Sequence, residues 1–218
     1  MGISKTYAVF GLGRYGTAVA RELANSGAEV LAVDMDQSRV NAAALEIPFC
    51  KCADVTDAEV IRQLGIANID VVVVAMAGSF EASVLAITLC KEVGVKTVIA
   101  KCANEMQQKI FLRVGADKVL YPERDSGVRL AKNLVSAGFV DMMELSKNIS
   151  MVELDVPEEW IGKTLVELNL RKKYSINIVA VKENGELELS VDPSKPLSAG
   201  SKLVVIANVE KLSRFLKN

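Results

Sequence analysis

The chain contains no histidine. It therefore lacks the side chain most often used to move protons near neutral pH, and with it the commonest nitrogen ligand for zinc. That weighs against hydrolase and transferase chemistry and leaves carboxylate and lysine chemistry open. Four cysteines, Cys50, Cys52, Cys90 and Cys102, have no CxxC spacing and sit in or beside apolar runs, so ordinary buried thiols are expected. An excess of one charge is also missing. Lys and Arg number 26 against 27 Asp and Glu, which leaves no global basic field to hold a polyanion, and nucleic acid is not an expected partner. The opening MGISKTYAVFGLG carries one basic residue and a short apolar run that ends in glycines. It is neither a signal peptide nor a span of about 20 apolar residues, so a cytoplasmic chain is expected.

What is present is a 218-residue sequence, half of it hydrophobic, long enough for one large or two small domains. Over roughly the first 135 residues short β-branched runs alternate with amphipathic stretches. The expected strands are Tyr7–Gly11, Glu29–Asp34, Phe49–Ala53, Val71–Ala75, Thr97–Lys101 and Lys118–Tyr121. Between them the spacing predicts helices over Gly13–Ser26, Asp36–Glu46, Asp57–Leu64, Ser79–Val93 and Glu105–Val114. A run such as Val71-Val72-Val73-Val74 reads as buried on both faces. The alternation therefore implies an α/β fold, a Rossmann-like doubly wound parallel sheet, spanning residues 1–135.

A helix from Glu123 to about Ser136 leads through Ala137-Gly138 into 136–148, read as a connector whose Phe139, Met142, Met143 and Leu145 suit a crossing to a partner subunit. From 149 to 218 the pattern becomes a second, smaller α+β C-terminal domain. Its expected elements are strand Met151–Val156, helix Thr164–Leu170, strand Ile176–Lys182, strand Glu186–Ser190, strand Lys202–Ala207 and helix Val209–Leu216. Asn184-Gly185 between two alternating segments is a strong hairpin signal. A module of this size buries little alone, which favours dimerisation through it.

The strongest local signal is Gly11-Leu12-Gly13-Arg14-Tyr15-Gly16, directly after one strand and opening a helix. There Gly11 permits a tight turn, Gly13 lets backbone amides approach a pyrophosphate, and Gly16 lets helix and strand pack closely. Asp34 ends the second strand, eighteen residues beyond Gly16. This is close to the spacing expected of a carboxylate that accepts ribose hydroxyls, and it favours NAD or an adenine nucleotide over NADP. Asp54 follows the third strand and reads either as a neighbour of the adenine pocket or as a helix cap. Ala75 and Lys101 end the fourth and fifth strands on the same edge, where Lys101 is either a phosphate contact or a solvated lysine. Arg14 inside the loop can reach further phosphate oxygens bidentately, which moves the expectation from a dinucleotide towards ATP or ADP.

These residues, AVFGLGRYG and EVLAVDMD, together with CADVTD, GADKVLYPERDSGVRLA, VELDVP and RKKYSINIVAV, resemble the regulator-of-potassium-conductance family, the cytosolic gating subunits of the Ktr and Trk potassium uptake systems. The resemblance spans essentially the whole chain. It implies a non-enzymatic subunit at the inner face of the cell membrane, whose dimers assemble into an octameric ring beneath a KtrB- or KtrD-like potassium-translocating partner. ATP would favour the active ring and ADP the inactive one, while the glycine loop and Asp34 leave NAD(H) open as a further ligand. The resemblance places the nucleotide on Gly11, Gly13, Arg14, Gly16, Asp34, Asp36 and Lys101, with Arg14 reaching a terminal phosphate across the dimer; the loop and strand ends add Tyr15, Asp54 and Ala75 as expected contacts. Glu123 falls where related subunits help to hold Mg2+ or another cation between paired nucleotides; the plain alternative is an acidic residue at a helix start. The resemblance further implies a cyclic di-AMP site on Val166, Arg171, Asn177, Ile178 and Pro193, although Ala180 stands where some relatives carry histidine.

Two other classes fit less of the chain. An NAD-dependent oxidoreductase would share the glycine loop but needs a proton-transfer group that the C-terminal module does not visibly supply. An NADH-sensing transcription regulator needs a basic recognition helix.

Overall fold

The computed structural model describes residues 5–76, 78–135, 139–146, 148–208 and 212. It forms two compact units, Met1–Arg124 and Asp125–Asn218.

The first unit is built on six parallel strands, β1 (Thr6–Phe10), β2 (Glu29–Asp34), β3 (Phe49–Cys52), β4 (Val71–Val74), β5 (Thr97–Lys101) and β6 (Lys118–Leu120). Their order is β3-β2-β1-β4-β5-β6, so the winding reverses between β1 and β4. Helices α1 (Arg14–Asn25), α2 (Gln37–Ala43), α3 (Ala58–Gln63), α4 (Phe80–Glu92) and α5 (Glu105–Arg113) supply the crossovers. Period-two alternation sends Ala8, Phe10, Val72 and Val74 into one core with Ile61, Ile87 and Phe111. Val9 and Val73 enter a second core with Ala20, Val40 and Ile47. Helices therefore cover both faces, and the continuous valine run is the sequence mark of a strand with no solvent side. Each fully buried valine contributes about 1.5–3 kcal/mol relative to an exposed one.

Observed helices generally start and stop about a residue inside the expected ranges, because cap residues belong to the pattern without helical dihedrals. Asp36, Asp57 and Asn104 cap α2, α3 and α5 through their side chains, accepting from the amides of Ser38, Glu59 and Gln107. The expectation of four buried thiols is corrected: Cys90 and Cys102 are buried, but Cys52 is exposed and Cys50 only half-buried. Both of these lie on β3, an edge strand with a neighbour on one side alone.

Helix α6 (Pro122–Val135) carries the chain into the second unit. There β7 (Phe139–Ser146), β8 (Ile149–Asp155), β9 (Asn177–Glu183), β10 (Glu186–Glu188) and β11 (Lys202–Asn208) form an antiparallel sheet in the order β10-β9-β11-β8-β7. Alternation again sorts the faces: Val152 and Leu154 of β8 and Leu203, Val205 and Ala207 of β11 are buried in one cluster with Trp160 and Leu168. The β9–β10 hairpin turns on Asn184 (φ 51°) and Gly185 (φ 87°), the two positive φ angles that an Asn-Gly turn accommodates. Strand β7 occupies the stretch read as a connector; register shifts between Phe139/Asp141 and between Glu144/Ser146 interrupt the alternation that marks a strand. The single helix expected over Thr164–Leu170 is two, α7 (Leu165–Leu168) and α8 (Leu170–Tyr174), because Asn169 between them is left-handed at φ 48°. Ala77, Ser136, Ala137, Gly138 and the expected helix Val209–Leu216, Leu212 apart, lie outside the described residues.

Candidate functional site

The loop from β1 to α1 is set by two glycines with no room for a side chain. Gly11 has φ 92°, and a Cβ there would stand 2.7 Å from Cγ of Met76. A Cβ on Gly16 would stand 1.8 Å from the carbonyl oxygen of Gly11, so the turn and the helix start are pressed together. Around a Cβ on Gly13 nothing lies within 4 Å, and Gly13 lines the cavity beside the loop. Gly13 is also the N-cap of α1 and offers no side chain to its first amides; Ser79, the N-cap of α4, makes no side-chain cap bond either. Both cap residues border the cavity. Two long helices thus present amides and the positive ends of their dipoles to one space, the arrangement that binds phosphate.

That cavity holds about 610 Å3. Gly11, Gly13, Asp34, Asp54 and Ala75 are on its wall, as the sequence predicts, and so are Met35, Arg39, Met76 and Leu85. Asp34 is buried. One carboxylate oxygen accepts from the Leu12 amide at 2.6 Å and the other from the Asp36 amide at 2.9 Å. These bonds hold the loop against the end of β2 and leave lone pairs for a ribose. Arg39 has one guanidinium nitrogen 3.6 Å from Asp34 and another 3.6 Å from Asp36. Its presence was not legible from spacing, because only the short turn into α2 brings it back over the end of β2. Asp36 caps α2, and its bonds from the side chain and then the amide of Ser38 hold its carboxyl below the ordinary aspartate range. Asp54 accepts from the hydroxyl and amide of Thr56, with the same effect, while Asp57 caps α3.

Arg14, Tyr15, Gly16, Asp36 and Lys101 are not part of the cavity wall. Gly16 supports the loop from behind. Tyr15 and Lys101 form a second cluster with Glu123: the Lys101 ammonium donates to Glu123 Oε1 at 2.6 Å and lies 5.6 Å from the centre of the Tyr15 ring. Glu123 is held below the usual carboxylate range, first by the Lys101 hydrogen bond and, through space, also by Arg14. Arg14 therefore shares this cluster electrostatically.

In the second unit the Val166 amide donates to the Pro193 carbonyl at 3.2 Å, and both residues are exposed. Arg171 is exposed on α8; Asn177 is exposed at the start of β9, and Ile178 beside it packs partly into the core.

The TrkA-N domain model matches residues 7–122 and the TrkA-C domain model residues 149–218. The Ktr system potassium uptake protein C of Bacillus subtilis (strain 168) is 38% identical over 215 residues, covering 99% of this chain and 97% of that protein. The Ktr system potassium uptake protein A of Vibrio alginolyticus is 35% identical over 214 residues, covering 98% and 97%. Among solved structures, the GsuK channel superposes with a TM-score of 0.70 at 20% identity, over 97% of this chain and 38% of that one. That likeness carries the fold.

Proposed function

The chain belongs to the family of potassium uptake proteins built from a TrkA-N and a TrkA-C domain, and from that premise we propose that it is the nucleotide-sensing regulatory subunit of a Ktr-type potassium transporter. The observation that carries the reading is the pair of helix starts without side-chain caps at Gly13 and Ser79, opening on one cavity with the Asp34 carboxylate at its ribose end. In this reading ATP and ADP occupy the cavity in turn, NAD(H) is a further ligand of the same loop, and the occupant leaves chemically unaltered. The subunit works at the inner face of the membrane on a potassium-translocating partner, as dimers assembled into an octameric ring. Within it the first unit binds nucleotide, and the second, with β7 in its sheet, forms the C-terminal domain.

Arg14, exposed at the first turn of α1, reaches the terminal phosphate of a nucleotide held by the neighbouring subunit. Among the described residues no group of three or more Asp, Glu or Cys side chains could hold a metal ion. A cation at Glu123 therefore draws on phosphate oxygens and the paired subunit, where it offsets repulsion between facing phosphates. The exposed Val166–Pro193 contact, with Arg171, Asn177 and Ile178, supplies the proposed cyclic di-AMP surface.

A ligand shifts a conformational equilibrium only through differential affinity, and moving it from 1:99 to 99:1 takes about 5.5 kcal/mol. Shared by about eight sites that move as one, this is below about 1 kcal/mol per site. Modest discrimination between ATP and ADP at each cavity is enough. Calorimetric titration with ATP, ADP, NADH and cyclic di-AMP, alongside solution mass, tests the reading. Arg14→Ala is expected to weaken ATP far more than ADP; equal losses would remove its proposed role.

A further inference from the structure

The partners in the Lys101–Glu123 ion pair are unequally placed. The lysine side chain is 14% exposed and the glutamate 63%. Lys101 closes β5 and is held from a second side by the Tyr15 ring, which favours a cation near its face. Glu123 stands at the start of α6 and can turn into water at little cost. The lysine is the fixed partner and the carboxylate the removable one.

The strand order says what could remove it. Asp34 ends β2 and Asp54 follows β3 on one side of β1, whereas Lys101 ends β5 on the other side, one strand beyond β4. Val74 faces Ala100 in the β4–β5 register, so the next residue of each strand end, Ala75 on the cavity wall and Lys101, lies at the same edge of neighbouring strands. An adenine nucleotide with its ribose on Asp34 and its first phosphates over Gly11–Gly13 therefore extends its last phosphate towards β4 and β5. A terminal phosphate carries more charge than a carboxylate and is a stronger acceptor for an ammonium.

We propose that Glu123 is a specificity-determining residue that guards Lys101: the ammonium turns to a nucleotide only when the incoming phosphate displaces the carboxylate, which a triphosphate does more fully than a diphosphate. The inference rests on the nucleotide-binding reading above and deepens it. Displacement also frees the Glu123 carboxylate for the cation assigned to it there.

The test is calorimetric titration of the full chain with ATP and with ADP in EDTA, so that no cation links Glu123 to phosphate. Glu123→Gln should tighten ATP about two- to fivefold, the scale of an exposed ion pair, and ADP by less. In a Lys101→Met background the same substitution should bring no gain. Equal gains with and without Lys101, or no gain for ATP, would overturn the guard. Wild-type protein that takes up neither nucleotide would overturn the underlying reading and this inference with it. Thermal melts check the fold of each variant, and Glu123→Ala repeats the comparison if the glutamine variant misfolds.

Discussion

The backbone amide of Leu12 and the carboxylate of Asp34, 22 residues apart in sequence, are joined by a 2.6 Å hydrogen bond. One buried side chain therefore both fixes the glycine loop and presents acceptors to the cavity. Asp34→Ala leaves the buried Leu12 amide and the Asp36 amide without their acceptor, and one unsatisfied buried donor costs about 1–3 kcal/mol. Asp34→Asn keeps an oxygen for one amide and removes the charge. The expected result is a lower melting temperature in the order wild type, Asn, Ala, with loss of adenine-nucleotide affinity in both variants. A melting series with parallel titrations checks it; unchanged affinity in Asp34→Ala would show that the ribose does not sit there.

The glycines of the loop separate fold from binding. Gly16→Ala would set a methyl group 1.8 Å from the Gly11 carbonyl oxygen, a backbone atom that cannot swing aside. Overpacking of this kind costs about 1–3 kcal/mol and sometimes more. Gly13 has φ −71° and open space around its missing Cβ, so Gly13→Ala should melt like wild type. Its methyl group would occupy space beside the helix start, and nucleotide affinity should fall. Chemical denaturation of the two variants, each followed by titration, distinguishes these outcomes.

How far the sequence discloses this structure depends on whether a feature is local. The valine run of β4, the Asn184-Gly185 turn and the glycine loop with Asp34 all state their roles within a few residues, and each element lies where its pattern puts it. Strand β7 is obscured by irregular register, and Asn169, a residue type that tolerates the left-handed region, lies within a continuous helical pattern and has no glycine beside it to mark the break. At the site, Asp34 and Asp54 are legible because strand ends converge on one edge. Arg39 and the Lys101–Tyr15–Glu123 cluster exist only once α2, α1 and Glu123 just after β6 are placed at the sheet edge. Cys52 looks buried in sequence because its strand is apolar in part; edge position, which composition does not reveal, exposes it.

That exposure makes a prediction about thiol chemistry. The nucleophile is the thiolate, so reactivity requires both access and a pKa near ambient pH. Cys52 is exposed at the end of β3, where its thiol donates only a weak 3.4 Å bond to the Met35 carbonyl. Cys50 is half-buried, and burial pushes its thiol up. Cys90 is fully buried, and burial pushes its thiol up to about 12 despite the neighbouring Lys91 charge; Cys102 is buried as well. At pH 9, modification of native protein should therefore reach Cys52 first, because it is the exposed thiol, with Cys50 slower, while Cys90 and Cys102 react only at the rate of unfolding. Peptide mapping after timed alkylation reads the four sites separately. Because thiolate at Cys90 is scarce at pH 9 even where reagent can enter, early labelling of Cys90 would mean that the α4 face of the sheet opens on the timescale of the reaction, and the packing described for that core would be wrong.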